Sequence, residues 1–398
     1  MATKQEEYYF PSLPVPSVQH LTLNIVNEIP DRYIRPEFQS ELVCTDDSFQ
    51  IPVIDFSKIL NEKLRRDEMT KLHAACEEWG FFQLINHGSE ETIEMMKNHA
   101  EEFFKQPLEE KKAYAQEPHS MEGYGQAFVQ FEDQKLDWGD MYLVRALPVG
   151  IRNMKFWPKY PNTFRTPPKQ EKLPGTPQSS TSIPHPKSKE IQPGLLGVVR
   201  MKPSLKREII DRYSTEVNKL AIQLVGMMAE NLGIEAKQLT GMLEDVLQPL
   251  RMNYYPPCPQ ADKVVGISPH SDPIALTLLI ETNNVQGLQI RKNGMWVPVH
   301  AIPSAFIVNI GDMLEIWTNG KYKSIEHRVV VNHHKERLSV AAFHAPNNED
   351  VIIGPRPDLV KEGAKYYKST DLNTYYKLNG TLQGKKHANE MKLVNTTE

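Results

Sequence analysis

Three cysteines in 398 residues, Cys44, Cys76 and Cys258, are too few and too widely spaced for a disulfide framework. That scarcity points to a reducing compartment, and the cytoplasm is the expected location. Long apolar runs are missing as well. The stretch Ala275–Ile280 has the length of a strand and falls far short of a bilayer span, so no membrane association is expected. The opening residues Met1 to Glu7 carry acid and no apolar segment, which argues against a secretory signal. Charge of one sign is not in excess either. Against 46 Lys and Arg stand 50 Asp and Glu, giving a net charge of −4 and no basic field for nucleic acid. What remains, 40% apolar and 24% charged, is the composition of an ordinary globular chain with enough material for a full core.

The pattern changes along the chain. Residues 1–165 read as an N-terminal region of helices and strands, beginning with an irregular wrapper that holds a short helix near Val18–Glu28. Ile51–Asp55 reads as a buried strand. Met69, Leu72, Ala75, Cys76 and Trp79 recur at helical spacing from Asp67 until Gly80 stops the helix. Phe81–Asn86 reads as a strand, Glu90–Lys105 as a second helix, and roughly Gln126–Leu147 as strand-rich. Residues 166–206 break the pattern: they contain eight of the 30 prolines, no Phe, Trp or Tyr, and seven Lys or Arg against two Glu. Such a segment buries too little apolar surface to offset its ordering and reads as a flexible insertion. A lid, a partner-binding arm and a tolerated surface insertion all fit it. Residues 207–248 are led by a long helix from Arg207 to about Leu232, with Ile209, Ile210, Tyr213, Val217, Leu220, Leu224 and Met228 in period. Residues 249–350 are short apolar runs, Leu314–Trp317 among them, broken by Gly, Pro or Asn-Gly. That punctuation predicts a barrel or a double-sheet jelly roll.

Three His-x-acid pairs occur: His99/Glu101, His270/Asp272 and His334/Glu336. The first lies on a predicted helix, where residues two apart diverge. The third sits in a polar turn. Only His270/Asp272 ends a β-run, where positions i and i+2 share a face and can occupy neighbouring positions on a metal. His327 opens the apolar run Val329–Val331 beyond the Asn319-Gly320 turn and supplies a third ligand from another strand. Two histidines and one carboxylate, with no thiolate, suit Fe(II) with open positions better than zinc.

Arg337 and Ser339 also share one strand face. Arg offers a planar fork matched to a carboxylate and Ser a short donor, a pair suited to the far carboxylate of 2-oxoglutarate. Asn253 and Tyr255 add donors on a second strand face.

Taken together, Ile51–Asp55, Trp79–Gly88, Glu122–Gly125, Asn253–Pro259, His270–Asp272, Asn319-Gly320 with His327-Arg328, and Arg337–Ser339 make the chain resemble the plant 2-oxoglutarate/Fe(II)-dependent dioxygenases of specialised metabolism. The resemblance covers all but residues 166–206, and the N-terminal half is most similar to the codeine-demethylase-like, norcoclaurine-synthase-like and senescence-related branch. It implies a mainly β fold with flanking helices around a double-stranded β-helix (jelly-roll) core. It further implies iron on His270, Asp272 and His327, and 2-oxoglutarate on Arg337, Ser339, Tyr255 and Asn253. Phe128, Tyr142 and Phe343 would line a pocket for a flat aromatic substrate, an alkaloid or a flavonoid, with a plain core role open for each. Residues 351–398 would form a helical cap, with Leu372–Leu393 closing over the pocket. Oxygen would be the second cosubstrate, ascorbate a supporting reductant, and the protein a monomer with no catalytic residue beyond the metal centre. The implied reaction is hydroxylation, O-demethylation or desaturation, with release of succinate and carbon dioxide. A non-oxidative condensation of an amine with an aldehyde and a non-catalytic binding role are the rival readings. Pro273, directly after Asp272, departs from the small residue more usual there and is placed to reshape the pocket edge.

Overall fold

Apolar and polar residues alternate along the C-terminal half, and most of those runs become strands. The computed structural model describes residues 13–23, 28–118, 120–126, 129, 131–157, 203–360, 364–380 and 386–393. The strands are β1 (Val53–Asp55), β2 (Phe81–Ile85), β3 (Gly123–Gly125), β4 (Asp140–Leu147), β5 (Val246–Tyr255), β6 (Ile267–His270), β7 (Leu276–Glu281), β8 (Leu288–Lys292), β9 (Met295–Pro298), β10 (Phe306–Ile310), β11 (His327–Val329), β12 (Arg337–Pro346), β13 (Ile352–Ile353) and β14 (Thr370–Asp371). The helices are α1 (Val18–Leu21), α2 (Phe56–Leu60), α3 (Arg65–Ala74), α4 (Glu90–Phe104), α5 (Leu108–Lys112), α6 (Pro203–Asn231), α7 (Lys237–Thr240), α8 (Asp312–Trp317), α9 (Leu372–Gly380) and α10 (His387–Glu390).

One large sheet runs β1-β2-β10-β7-β12-β5-β4-β3, and a smaller one runs β6-β11-β8-β9. All pairings except β1–β2 are antiparallel. This is the expected jelly-roll core. Register gives the large sheet two chemically different faces. Leu338, Val340 and Ala342 of β12 stand beside Met252 and Leu250 of β5, and all five enter the main apolar core with α4 and α6. The α6 face toward that core carries Ile209, Ile210, Tyr213, Val217, Leu220 and Leu224, as the helical spacing predicts. On the opposite, inner face, Arg337, Ser339, Ala341 and Phe343 of β12 stand beside Tyr255, Asn253 and Arg251 of β5, and beside Glu281, Leu279 and Thr277 of β7. A polar inner face beneath an apolar outer one is what a strand offers when it separates a core from a site.

Several expected elements differ. Leu314–Trp317 is not a strand but the end of α8, whose six residues are all buried. Burial on every side removes the polar face from which helical period is read. The stretch 126–139 is loop wherever described, because Asp137 accepts from the Ser268 amide at 3.1 Å and Trp138 is buried against Tyr33 in a second apolar cluster. The first helix is a single turn, capped by the Ser17 hydroxyl and held by Asp140 Oδ1, which accepts from the Val18 amide at 2.8 Å. The helix from Asp67 to Trp79 is present, starting at Arg65 and widening to a π-helical turn at Ala75–Trp79 before Gly80. Residues 166–202 of the insertion lie outside the described residues, while 203–206 already belong to α6. Within Leu372–Leu393 there are two helices, α9 and α10, with 381–385 outside the described residues. No helix among the described residues is long and apolar enough to cross a membrane.

Candidate metal centre

β6 and β11 pair antiparallel so that His327 and His270 are direct Cα partners. Their rings approach to 4.2 Å between centroids. Chain alternation turns Ser271 away, where its hydroxyl donates to Asp312 Oδ2 at 2.9 Å, and brings Asp272 back to the side of His270. Asp272 Oδ1 then lies 3.6 Å from His270 Nε2 and 3.7 Å from His327 Nε2. The three donor atoms fall within 4.8 Å of one another.

Each ring is fixed by its other nitrogen. His270 Nδ1 meets the Ser268 carbonyl at 2.8 Å and His327 Nδ1 meets the Ile325 carbonyl at 3.1 Å. A carbonyl only accepts, so Nδ1 is the donor in both rings and Nε2 is the atom each turns to the common point. Phe81 packs edge-on to His327 at 5.3 Å. Burial, and then the adjacent His327, push His270 from 6.5 down to about 3. A neutral His270 makes its contact with Asp272 a cluster of donor atoms rather than an ion pair. Burial opposes ionisation of Asp272, but the adjacent His327 and hydrogen bonds from Thr277 and Asn309 hold its carboxyl below the ordinary value. Thr277 Oγ1 donates to Asp272 Oδ2 at 2.6 Å and Asn309 Nδ2 at 2.7 Å, leaving Oδ1 for the histidines.

The loop after Asp272 is pinned from behind. The Asp312 amide donates to the Asp272 carbonyl at 2.8 Å, and the Gly311 amide to that of Ala275 at 2.9 Å. A Cβ at Gly311 would stand 1.9 Å from the Ile274 carbonyl oxygen, so only glycine permits this approach.

Along the inner face from the triad lies a second polar cluster. Arg337 is 2% exposed, and its Nε and Nη1 are buried without a partner. Asn253 Nδ2 donates to Ser339 Oγ at 3.4 Å while Asn253 Oδ1 is unpartnered. The Arg337 guanidinium carbon lies 5.4 Å from the Tyr255 ring centroid. Buried polar atoms left unpaired in a folded interior are costly and call for a ligand. Two imidazoles and a carboxylate without thiolate fit Fe(II), and Arg337 with Ser339 and Asn253 fits a small dicarboxylate.

Of the pocket residues expected, Phe343 stands on the inner face opposite Thr277. Tyr142 does not. Its cross-strand partner is Met252, it stacks on Phe103 at 4.2 Å, and its hydroxyl donates to the Phe156 carbonyl, all on the helical side of the sheet. The residue after it in the chain has the opposite orientation, so Leu143 and Met141 face the interior beside Arg251 and Asn253. Phe128 lies outside the described residues. His99 is buried on α4 and His334 is exposed, and neither joins the donor cluster of His270, Asp272 and His327. Sequence reasoning missed Thr277, Asn309 and Glu281. A lone polar residue within Phe306-Ile-Val-Asn-Ile310 was the available signal for Asn309.

The family described as the 2OG-Fe(II) oxygenase superfamily matches residues 247–346, and the N-terminal family described as non-haem dioxygenase in morphine synthesis matches residues 51–160. S-norcoclaurine synthase 1 of Coptis japonica is 45% identical over 96% of this chain and 97% of its own length. Oxoglutarate-dependent flavonoid 7-O-demethylase 1 of Ocimum basilicum is 41% identical over 96% of this chain and 92% of its own. The crystal structure of JOX2 in complex with 2OG, Fe and JA superposes with a TM-score of 0.76 at 32% identity, covering 96% of this chain and 98% of that one.

Proposed function

The chain belongs to the 2OG-Fe(II) oxygenase superfamily, an enzyme family that uses Fe(II), 2-oxoglutarate and O2, and from that premise we propose that it oxidises a small aromatic metabolite. His270, Asp272 and His327 would hold Fe(II). When bound, the metal supplies oxygen activation coupled to decarboxylation of 2-oxoglutarate to succinate and carbon dioxide. The protein's own residues supply position. Thr277 and Asn309 orient Asp272, and the Ser268 and Ile325 carbonyls fix both imidazoles. Arg337, Ser339, Asn253 and Tyr255 would take the distal carboxylate of 2-oxoglutarate. Phe343, Met141 and Leu143 would form an apolar wall that holds the substrate C–H near the metal and keeps water out.

The observation that carries this reading is the convergence of three donor atoms on one point, with unpartnered nitrogens of Arg337 on the adjoining inner face. O-demethylation of a flavonoid or alkaloid is the favoured reaction, supported by relatives that include the flavonoid 7-O-demethylase and codeine O-demethylase. A condensation needing neither oxygen nor a dicarboxylate gives the two polar clusters nothing to do. The test is succinate release from 2-oxoglutarate by Fe(II)-loaded protein, with methoxylated flavonoids and alkaloids as the panel and His270→Ala as control. Stimulation by one compound, lost under argon and in the variant, is the expected result. Product formed equally well under argon would overturn the reading.

A further inference from the structure

Arg337 has a resident partner. Its Nη2 donates to Glu281 Oε1 at 2.6 Å, with the two side chains 2% and 4% exposed. Glu281 closes β7 as the direct Cα partner of Ser339, so backbone register sets this pair on the inner face. Gly287 closes another flank: a Cβ there would meet Arg337 Cδ at 2.6 Å and Nε at 2.9 Å. The guanidinium is thus held at one nitrogen and along its stem, while Nε and Nη1 have no partner. A buried carboxylate on this arginine also opposes the arrival of a second one, because the two like charges repel across the Arg337 guanidinium in a poorly screened interior.

We propose that Glu281 is a positioning residue of the cosubstrate site, fixing the Arg337 guanidinium while lowering its affinity for the distal carboxylate of 2-oxoglutarate. The inference rests on the assignment of Arg337 to that carboxylate. Its two effects separate chemically. Gln at 281 keeps an oxygen acceptor for Nη2 and removes the charge, whereas Ala removes both.

The experiment is calorimetric titration of the Fe(II)-loaded protein under argon with 2-oxoglutarate and with 2-oxobutyrate, which lacks the distal carboxylate. Glu281→Gln is expected to bind 2-oxoglutarate about 3- to 10-fold more tightly, with 2-oxobutyrate unchanged. Glu281→Ala is expected to lose about 10-fold in its preference for 2-oxoglutarate over 2-oxobutyrate, a preference that Glu281→Gln retains. Gln weakening 2-oxoglutarate as much as Ala does, or both acids shifting together, would overturn the proposal. Should the Ala variant not fold, the near-isosteric Gln variant decides the matter alone. Wild-type protein that binds the two acids equally would instead remove the Arg337 assignment itself.

Discussion

His270 and His327 are direct cross-strand partners in the β6–β11 pair, and their rings lie 4.2 Å apart. The spacing of the two proposed ligands is therefore a property of strand register rather than of loop conformation. A slip of one residue would turn one ring out of the site, and the β8 strand on the other side of β11, with Ile290 opposite His327, resists that slip. The third ligand has no such ladder. Asp272 follows the strand end, and Thr277 and Asn309 fix its carboxylate from the large sheet.

Thr277→Val keeps the shape of the side chain and removes its hydrogen bond to Asp272. Fe(II) affinity should fall about 10- to 100-fold, as does Asn309→Ala, because an unheld carboxylate presents its donor oxygen less often. Calorimetric Fe(II) titration under argon reads this directly. Wild-type affinity in both variants would show that Asp272 needs no support.

Gly287→Ala tests the second cluster without touching the first. The added Cβ must displace the Arg337 stem, since it would stand 2.6 Å from Cδ and 2.9 Å from the Val330 carbonyl oxygen. The expected outcome is about a 10-fold loss in 2-oxoglutarate affinity, on the scale of one misplaced charge-assisted hydrogen bond, with Fe(II) affinity unchanged. Equal losses for metal and cosubstrate would point to general disruption of the barrel.

Most strands of the core were legible because they are short apolar-rich runs set between Gly, Pro or Asn-Gly breaks, and His270/Asp272 was separable from two similar pairs by its place at a strand end. What sequence could not supply was register. Tyr142 and Leu143 are adjacent aromatic and aliphatic residues on one strand, and only the pairing of β4 with β5 tells that Tyr142 faces α4 while Leu143 faces the interior. Glu281 poses the same problem, since nothing local connects it to Arg337. The α8 helix escaped for another reason: six buried residues offer neither period 2 nor period 3.6.

His344 supplies a pH prediction away from the metal. Burial pushes it from 6.5 down to about 4, and its Nδ1 meets the Leu276 carbonyl at 3.2 Å while Nε2 meets the Gln248 side-chain nitrogen at 3.0 Å. The unfolded chain binds a proton in this range that the folded chain refuses, so its stability contribution is full above pH 6.5 and declines as pH falls toward 4. The loss over that window is on the order of 3 kcal/mol. Urea unfolding between pH 7 and 4.5 should show a shallower decline for His344→Gln by about one proton. Parallel curves for the two proteins would rule out the assignment.

Tyr142→Phe and Phe343→Ala distinguish the two faces of the large sheet. Tyr142 is buried among the helices, and loss of its hydroxyl leaves the Phe156 carbonyl without that donor. The cost should be about 1–2 kcal/mol in unfolding free energy, with no change in which compounds stimulate 2-oxoglutarate turnover. Phe343 lies opposite Thr277, one residue pair from the Asp272 carboxylate, and is only half-buried. Phe343 also packs at the edge of the main apolar core, so its truncation should cost some stability, and the readout that separates it from Tyr142→Phe is the substrate's KM, expected to rise by about 10-fold for an aromatic ligand that loses one ring contact. Background succinate release without substrate should persist, because neither the triad nor Arg337 is altered. If instead Tyr142→Phe changes the substrate profile and Phe343→Ala does not, the substrate approaches from the helical side and the inner face has been given the wrong role.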